Sequence, residues 1–162
     1  MEKFTQKWAI IVLFENVTEG FRFYYTSSPL HLTLAGVFKI DHDGVWMSNQ
    51  LASLLSDQSR FLIVAHKKAM FDKNKEVAVM KIKKTDELME LYQKIYNWLE
   101  KSEAIYNEPQ YQGEGYLPHS TFQKSGKLQA GQKVWVKSVS IIDLFPDGDG
   151  YQRKIFKTID LK

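Results

Sequence analysis

His31-Leu32-Thr33-Leu34 recurs 88 residues later as His119-Ser120-Thr121-Phe122, two copies of the pattern His-x-Thr-apolar, each inside a stretch with strand character. Side chains alternate faces along a strand, so a histidine and a threonine two residues apart point the same way. Leu32 and Leu34, or Ser120 and Phe122, then point the other way. Each copy sets one proton-transfer group beside one hydroxyl donor. Two copies facing each other across a cleft would hold an anion between two hydroxyls, with one imidazole to take a proton and the other to supply one. The competing reading makes His31 and His119 ordinary strand histidines whose rings are satisfied by backbone groups. A single copy is a weak signal, and the repetition is what gives the pattern weight.

Working outward, the first motif strand is expected from Leu30 to about Ile40. The continuous apolar run Trp8 to Phe14 predicts a strand buried on both faces, and Gly20 to Pro29 reads as a polar, aromatic connection. Asp41-His42-Asp43-Gly44 signals a turn, after which Ser48 is the expected cap of a helix through Leu51, Leu54 and Leu55. Phe61 to Ala65 and Val77 to Ile82 read as strands joined by an exposed basic segment, Lys67 to Lys75. Thr85-Asp86-Glu87-Leu88 opens the clearest helix, with acids in the first turn and Leu88, Leu91, Tyr92, Ile95, Trp98 and Leu99 on one stripe, ending between Lys101 and Ala104. Tyr106 to Pro118 reads as a loop leading to the second motif. Val134 to Phe145 is expected as one long strand, Pro146 to Gly150 as a tight turn, and Tyr151 to Leu161 as the returning strand of a hairpin.

This order implies an α+β fold, and a motif strand in each half implies a bilobal one: a pseudo-two-fold pair of antiparallel sheets with flanking helices and a central groove. At 162 residues the chain is the size of one domain, taken as 1–162. With 44% hydrophobic, 14% aromatic and 25% charged residues it has the material for a packed core. The absence of cysteine removes disulfides, thiol nucleophiles and cysteine metal sites. Trp8 to Phe14 is too short to span a bilayer and has no signal-peptide cleavage pattern, so a cytoplasmic protein without a membrane partner is expected. A net charge of +3 suits an anionic ligand but falls short of a protein that coats nucleic acid.

The other candidate sites are weaker. Asp41-His42-Asp43-Gly44 is better read as a solvated turn than as a metal site. Asp147-Gly148-Asp149-Gly150 resembles the opening of a calcium loop but lacks its closing glutamate, which leaves a hairpin turn. His66 with Lys67 and Lys68 reads as a solvated face. Tyr24 and Tyr25, like Tyr111 and Tyr116, shortly precede a motif and could stack on a base or pack at the rim. Tyr25, Tyr116 and Lys124 are kept as possible substrate contacts.

The two motifs, with Pro29 two residues before His31 and Pro118 directly before His119, resemble the 2H phosphoesterase superfamily, which includes bacterial 2'-5' RNA ligase and RNA 2',3'-cyclic phosphodiesterase proteins. An N-terminal apolar strand, a long mid-chain helix and a closing hairpin match that layout over nearly the whole chain. The resemblance implies metal-independent chemistry, with no cofactor, on a 2',3'-cyclic phosphate or 2'-5' phosphodiester. It makes His31 and His119 the acid and base, in an order the sequence leaves open, and Thr33 and Thr121 the phosphate donors. The implied partner is an RNA terminus or small nucleotide phosphodiester, bound by a monomer. Where many relatives carry an arginine near the end of the second motif, this chain has Gln123 and Lys124. The alternatives are a non-catalytic module that binds an RNA end or nucleotide in the same groove, and an interaction domain with both motifs inside its core.

Overall fold

A computed structural model describes residues 6–72 and 74–162. In chain order the elements are β1 (Trp8–Leu13), β2 (Arg22–Tyr24), β3 (His31–Lys39), α1 (Gly44–Leu54), β4 (Phe61–Phe71), β5 (Val77–Ile82), α2 (Asp86–Lys101), β6 (Ile105–Tyr106), β7 (His119–Thr121), β8 (Lys133–Val136), β9 (Ser138–Asp143) and β10 (Gln152–Asp160). They build two antiparallel sheets, one in the order β2-β10-β9-β1-β3-β6 and the other β7-β5-β4-β8. The α+β expectation, with paired antiparallel sheets and flanking helices, holds.

Burial explains the arrangement. Leu32 and Leu34 of β3, Ile10 and Val12 of β1 and Met80 and Ile82 of β5 join Met47 and Leu51 of α1 and Leu88, Leu91, Ile95 and Leu99 of α2 in one core. The helices therefore cover one face of the sheets. The opposite face of the first sheet carries a smaller cluster, Ala9, Ile11, Ile142 and Ile155. This is the face of Thr33, because Ile11 stands directly across the ladder from it, as Leu13 does from His31. The second motif strand closes the arrangement: β3 and β7 approach with Cα atoms within 8 Å, so both motifs meet at the seam between the sheets.

Helix α2 follows its sequence signals. Thr85 Oγ1 accepts from Leu88 N at 3.4 Å, and the apolar stripe faces inward. Helix α1 differs from the expected start, because Asp43 occupies the cap one turn earlier and its carboxylate accepts from Trp46 N at 2.8 Å. Ser48 instead lies inside the helix, donating to the Gly44 carbonyl at 2.8 Å. Gly44 lets the first turn lie against β10, since a Cβ there would sit 2.4 Å from the Phe156 ring.

Three other expectations change. Gly20 to Pro29 contains the short strand β2, paired with β10. The basic segment from Lys67 is strand rather than connection: β4 continues to Phe71 past a register shift between Ala65 and Lys68, and the turn is confined to the residues before Val77. Lys73 of that segment lies outside the described residues. Val134 to Phe145 is two strands rather than one, β8 pairing with β4 and β9 with β1 and β10. The chain changes sheets at Lys137, whose carbonyl accepts from Leu161 N at 2.9 Å. No helix among the described residues is long and apolar enough to cross a membrane.

Candidate active site

Both motif strands alternate as their sequence requires. Leu32, Leu34 and Ser120 are buried, while His31, Thr33, His119 and Thr121 are half-buried on the other face. The two histidines are held in the same way. His31 Nδ1 lies 2.7 Å from the Pro29 carbonyl, and His119 Nδ1 lies 2.7 Å from the Leu117 carbonyl, in each case the residue two positions upstream. A carbonyl only accepts, so each ring carries its proton on Nδ1 and leaves Nε2 as the free basic nitrogen. Neither threonine hydroxyl bonds to another group among the described residues.

Burial holds both imidazoles below the ordinary histidine pKa. At His31 the loss of solvent dominates, the Pro29 carbonyl opposes it, and the neighbouring His119 lowers the value further while Glu15 raises it. At His119 desolvation again leads, opposed by the Leu117 carbonyl. The edge-on ring of Phe71, with its centroid 4.8 Å from that of His119, supplies part of the apolar surrounding.

Several residues that sequence reading did not single out organise this seam. The Glu15 carboxylate accepts from Leu30 N, immediately before His31, and from Ser125 Oγ at 2.6 Å, four residues past Thr121. It thereby ties the two motif surroundings together. Lys81 of β5 stands directly across the ladder from His119, on the same face and half-buried. No pattern in the sequence marks either residue, since only strand pairing brings them near.

The three possible substrate contacts fare differently. Tyr116 is 5% exposed, and its hydroxyl donates to the Thr33 carbonyl at 2.8 Å, so it braces the first motif from behind rather than facing a ligand. Tyr25 is exposed at the β2 edge of the first sheet, against Tyr151 and under the Arg153 guanidinium, and the structure does not bring it to the motifs. Lys124 is exposed in the tight turn between Gln123 and Gly126, just past the second motif. His42 stacks on Trp46 with 3.5 Å between centroids, as a turn residue. No three His, Asp or Glu side chains gather as a metal site among the described residues.

With two sheets, a shared seam and a His-x-Thr pair on it, the class is that of the two-histidine phosphoesterases. The chain belongs to the 2'-5' RNA ligase superfamily, whose family model matches residues 5–139. Its fold is similar to that of a crystallised phosphoesterase (TM-score 0.61, 14% identity, covering 98% of this chain and 99% of that one). It is also similar to E. coli LigT complexed with 3'-AMP (TM-score 0.59, 14% identity, 97% and 98% covered) and to LigT complexed with NADP+ (TM-score 0.56, 13% identity, 98% of each). At such identities the likeness is one of fold. No curated protein matches the chain significantly.

Proposed function

We propose that the protein is a phosphodiesterase that opens 2',3'-cyclic phosphates, or cleaves related 2'-5' phosphodiesters, by paired-histidine acid-base catalysis without a metal. The observation that carries this reading is the matched bonding of the two rings. Both Nδ1 atoms face a carbonyl two residues upstream, which leaves two Nε2 atoms as a proton acceptor and, once protonated, a donor. Purely structural histidines have no need of identical tautomers at a shared seam. One ring takes the proton of the attacking water, and the new P–O bond forms as the bond to the departing ribose oxygen breaks. The other ring protonates that oxygen. Thr33 and Thr121 donate to the non-bridging oxygens, where charge builds in the transition state. Ligation is the same displacement with a ribose 5'-hydroxyl in place of the water.

The purified protein in EDTA is expected to convert a 2',3'-cyclic nucleotide to the 2'-phosphate. His31→Ala and His119→Ala are each expected to lose roughly 10²- to 10⁴-fold in rate. Binding of the nucleotide with no turnover by the intact protein would instead support a recognition module.

A further inference from the structure

We infer that one wall of the groove is an anion track leading away from His119, and that the ligand carries a second phosphate beyond the reacting one. This rests on the phosphodiesterase reading for the identity of the first phosphate, but its geometry is independent of turnover. Lys81 is the ladder partner of His119. Alternation puts Lys83 on the same side, and its N–H donates to the Val64 carbonyl at 2.9 Å. Val64 in turn pairs with Lys133 of β8. From β7 through β5 and β4 to β8 is three strand steps, ~14 Å at the usual strand spacing. A cation thus stands beside His119, and two more follow across the same face of the sheet.

Those charges are unspent. The described ion pairs join Arg22 with Asp147, Lys94 with Asp57 and Lys157 with Glu19, and none uses Lys81, Lys83 or Lys133. The track ends at a cleft of about 860 Å³, lined on its side by Lys133 and by Trp135, which is 51% exposed. Leu13, the ladder partner of His31, lines the facing wall, which brings the cleft up to the strand next to the first motif; no motif residue lines it. Two carboxylates of that wall are already engaged. Glu15 takes Leu30 N and Ser125 Oγ, and Glu19 takes Thr158 N at 2.8 Å and Lys157 at 3.6 Å; Asp160 stays exposed. The free charge left to a ligand is mainly cationic. Lysine ammoniums on mobile stems suit phosphates, and an exposed indole suits a nucleobase face.

Two sources share this chemistry: a single strand ending in a cyclic phosphate, and a small cyclic nucleotide with one further phosphate. Binding is measured in the His119→Ala background, where turnover is stopped, with three probes. These are a pentanucleotide with a 2',3'-cyclic end, 2',3'-cyclic AMP bearing a 5'-phosphate, and 2',3'-cyclic AMP itself. At least one of the two larger probes should bind more tightly than cyclic AMP, and Lys83→Gln with Lys133→Gln should remove that gain while leaving cyclic AMP binding unchanged. If the strand is the ligand, the slope of log affinity against log salt should fall by about 1.4, ~0.7 for each of two phosphates released. If the small bisphosphate alone gains, the slope changes less than that, because a mononucleotide carries no condensed counterion atmosphere to release. The track is overturned if neither probe outbinds cyclic AMP, or if the double variant binds all three as the unsubstituted background does. Failure of turnover by the intact protein, with this binding pattern kept, would remove the phosphodiesterase reading and leave the track.

Discussion

At the residue scale, the proposed chemistry depends on two nitrogens whose protonation is fixed from behind. The carbonyls of Pro29 and Leu117 set the tautomers, and burial sets the basicity. Because both imidazoles titrate below the ordinary value near ~6.5, both are neutral at neutral pH and the protonated acid becomes scarce as pH rises. The bell of kcat/KM against pH is therefore expected to centre below ~6.5. A bound phosphate favours imidazolium, so the bell of kcat should lie at higher pH than that of kcat/KM; coincident bells centred above 7 would contradict this. Thr33→Val and Thr121→Val, which remove one donor each, should lower kcat by about 10²- to 10³-fold. Ser120, between His119 and Thr121, turns its hydroxyl into the core, where it is buried without a partner. Ser120→Ala should thus raise stability by about 1 kcal/mol in denaturant melts, with the rate unchanged. The four motif residues were legible because an i, i+2 spacing on a strand fixes a shared face. Glu15 and Lys81 were not, because their nearness to the histidines comes from register between strands far apart in sequence.

At the element scale, the seam is braced through aromatic stacking. Tyr116 lies flat on Tyr92, with 3.7 Å between centroids and 7° between planes, and donates to Thr33 of β3. Burial pushes the Tyr116 hydroxyl well above its usual pKa, so it stays a donor, and Tyr92, pushed up to about 12, accepts from Gly113 N. Tyr116→Phe keeps the stack and removes the bond. The expected outcome is a lower kcat with little change in KM, and a stability loss of about 1 kcal/mol; an unchanged kcat would show that the bond does not position Thr33. At the start of α1, Gly44→Ala forces a methyl into the Phe156 ring and should cost about 1–3 kcal/mol, read as a fall in denaturation midpoint. Helix α2 was legible end to end because cap, acids and stripe all agree. The start of α1 was misplaced by one turn because Asp43 and Ser48 are both capping types, and contact with β10 decides between them. The extent of β4 and the break at Lys137 were hidden for a related reason. Lys67 and Lys68 look like an exposed connection, while residues of strand type continue past Lys137, so only the partner strands show where a ladder runs on or changes sheet.

At the scale of the whole molecule, two antiparallel sheets share one core with both helices and carry the motif histidines and threonines on their opposite faces. The α+β class and the paired sheets were legible from the order of elements, since hairpins and isolated helices leave few alternatives. The unequal strand numbers were not, because β2 and β6 are too short to show a pattern of their own. Membership of the 2'-5' RNA ligase superfamily places the chain among phosphodiesterases and ligases. The proposed chemistry requires something narrower: residues 31 and 119 converge on one phosphate. NMR titration of the four histidine rings with and without inorganic phosphate tests that convergence. Phosphate is expected to raise the pKa of His31 and His119 together, with His42, stacked on Trp46, and the exposed His66 as internal controls. A rise confined to one of the two motif histidines, or shared equally by all four, would contradict it.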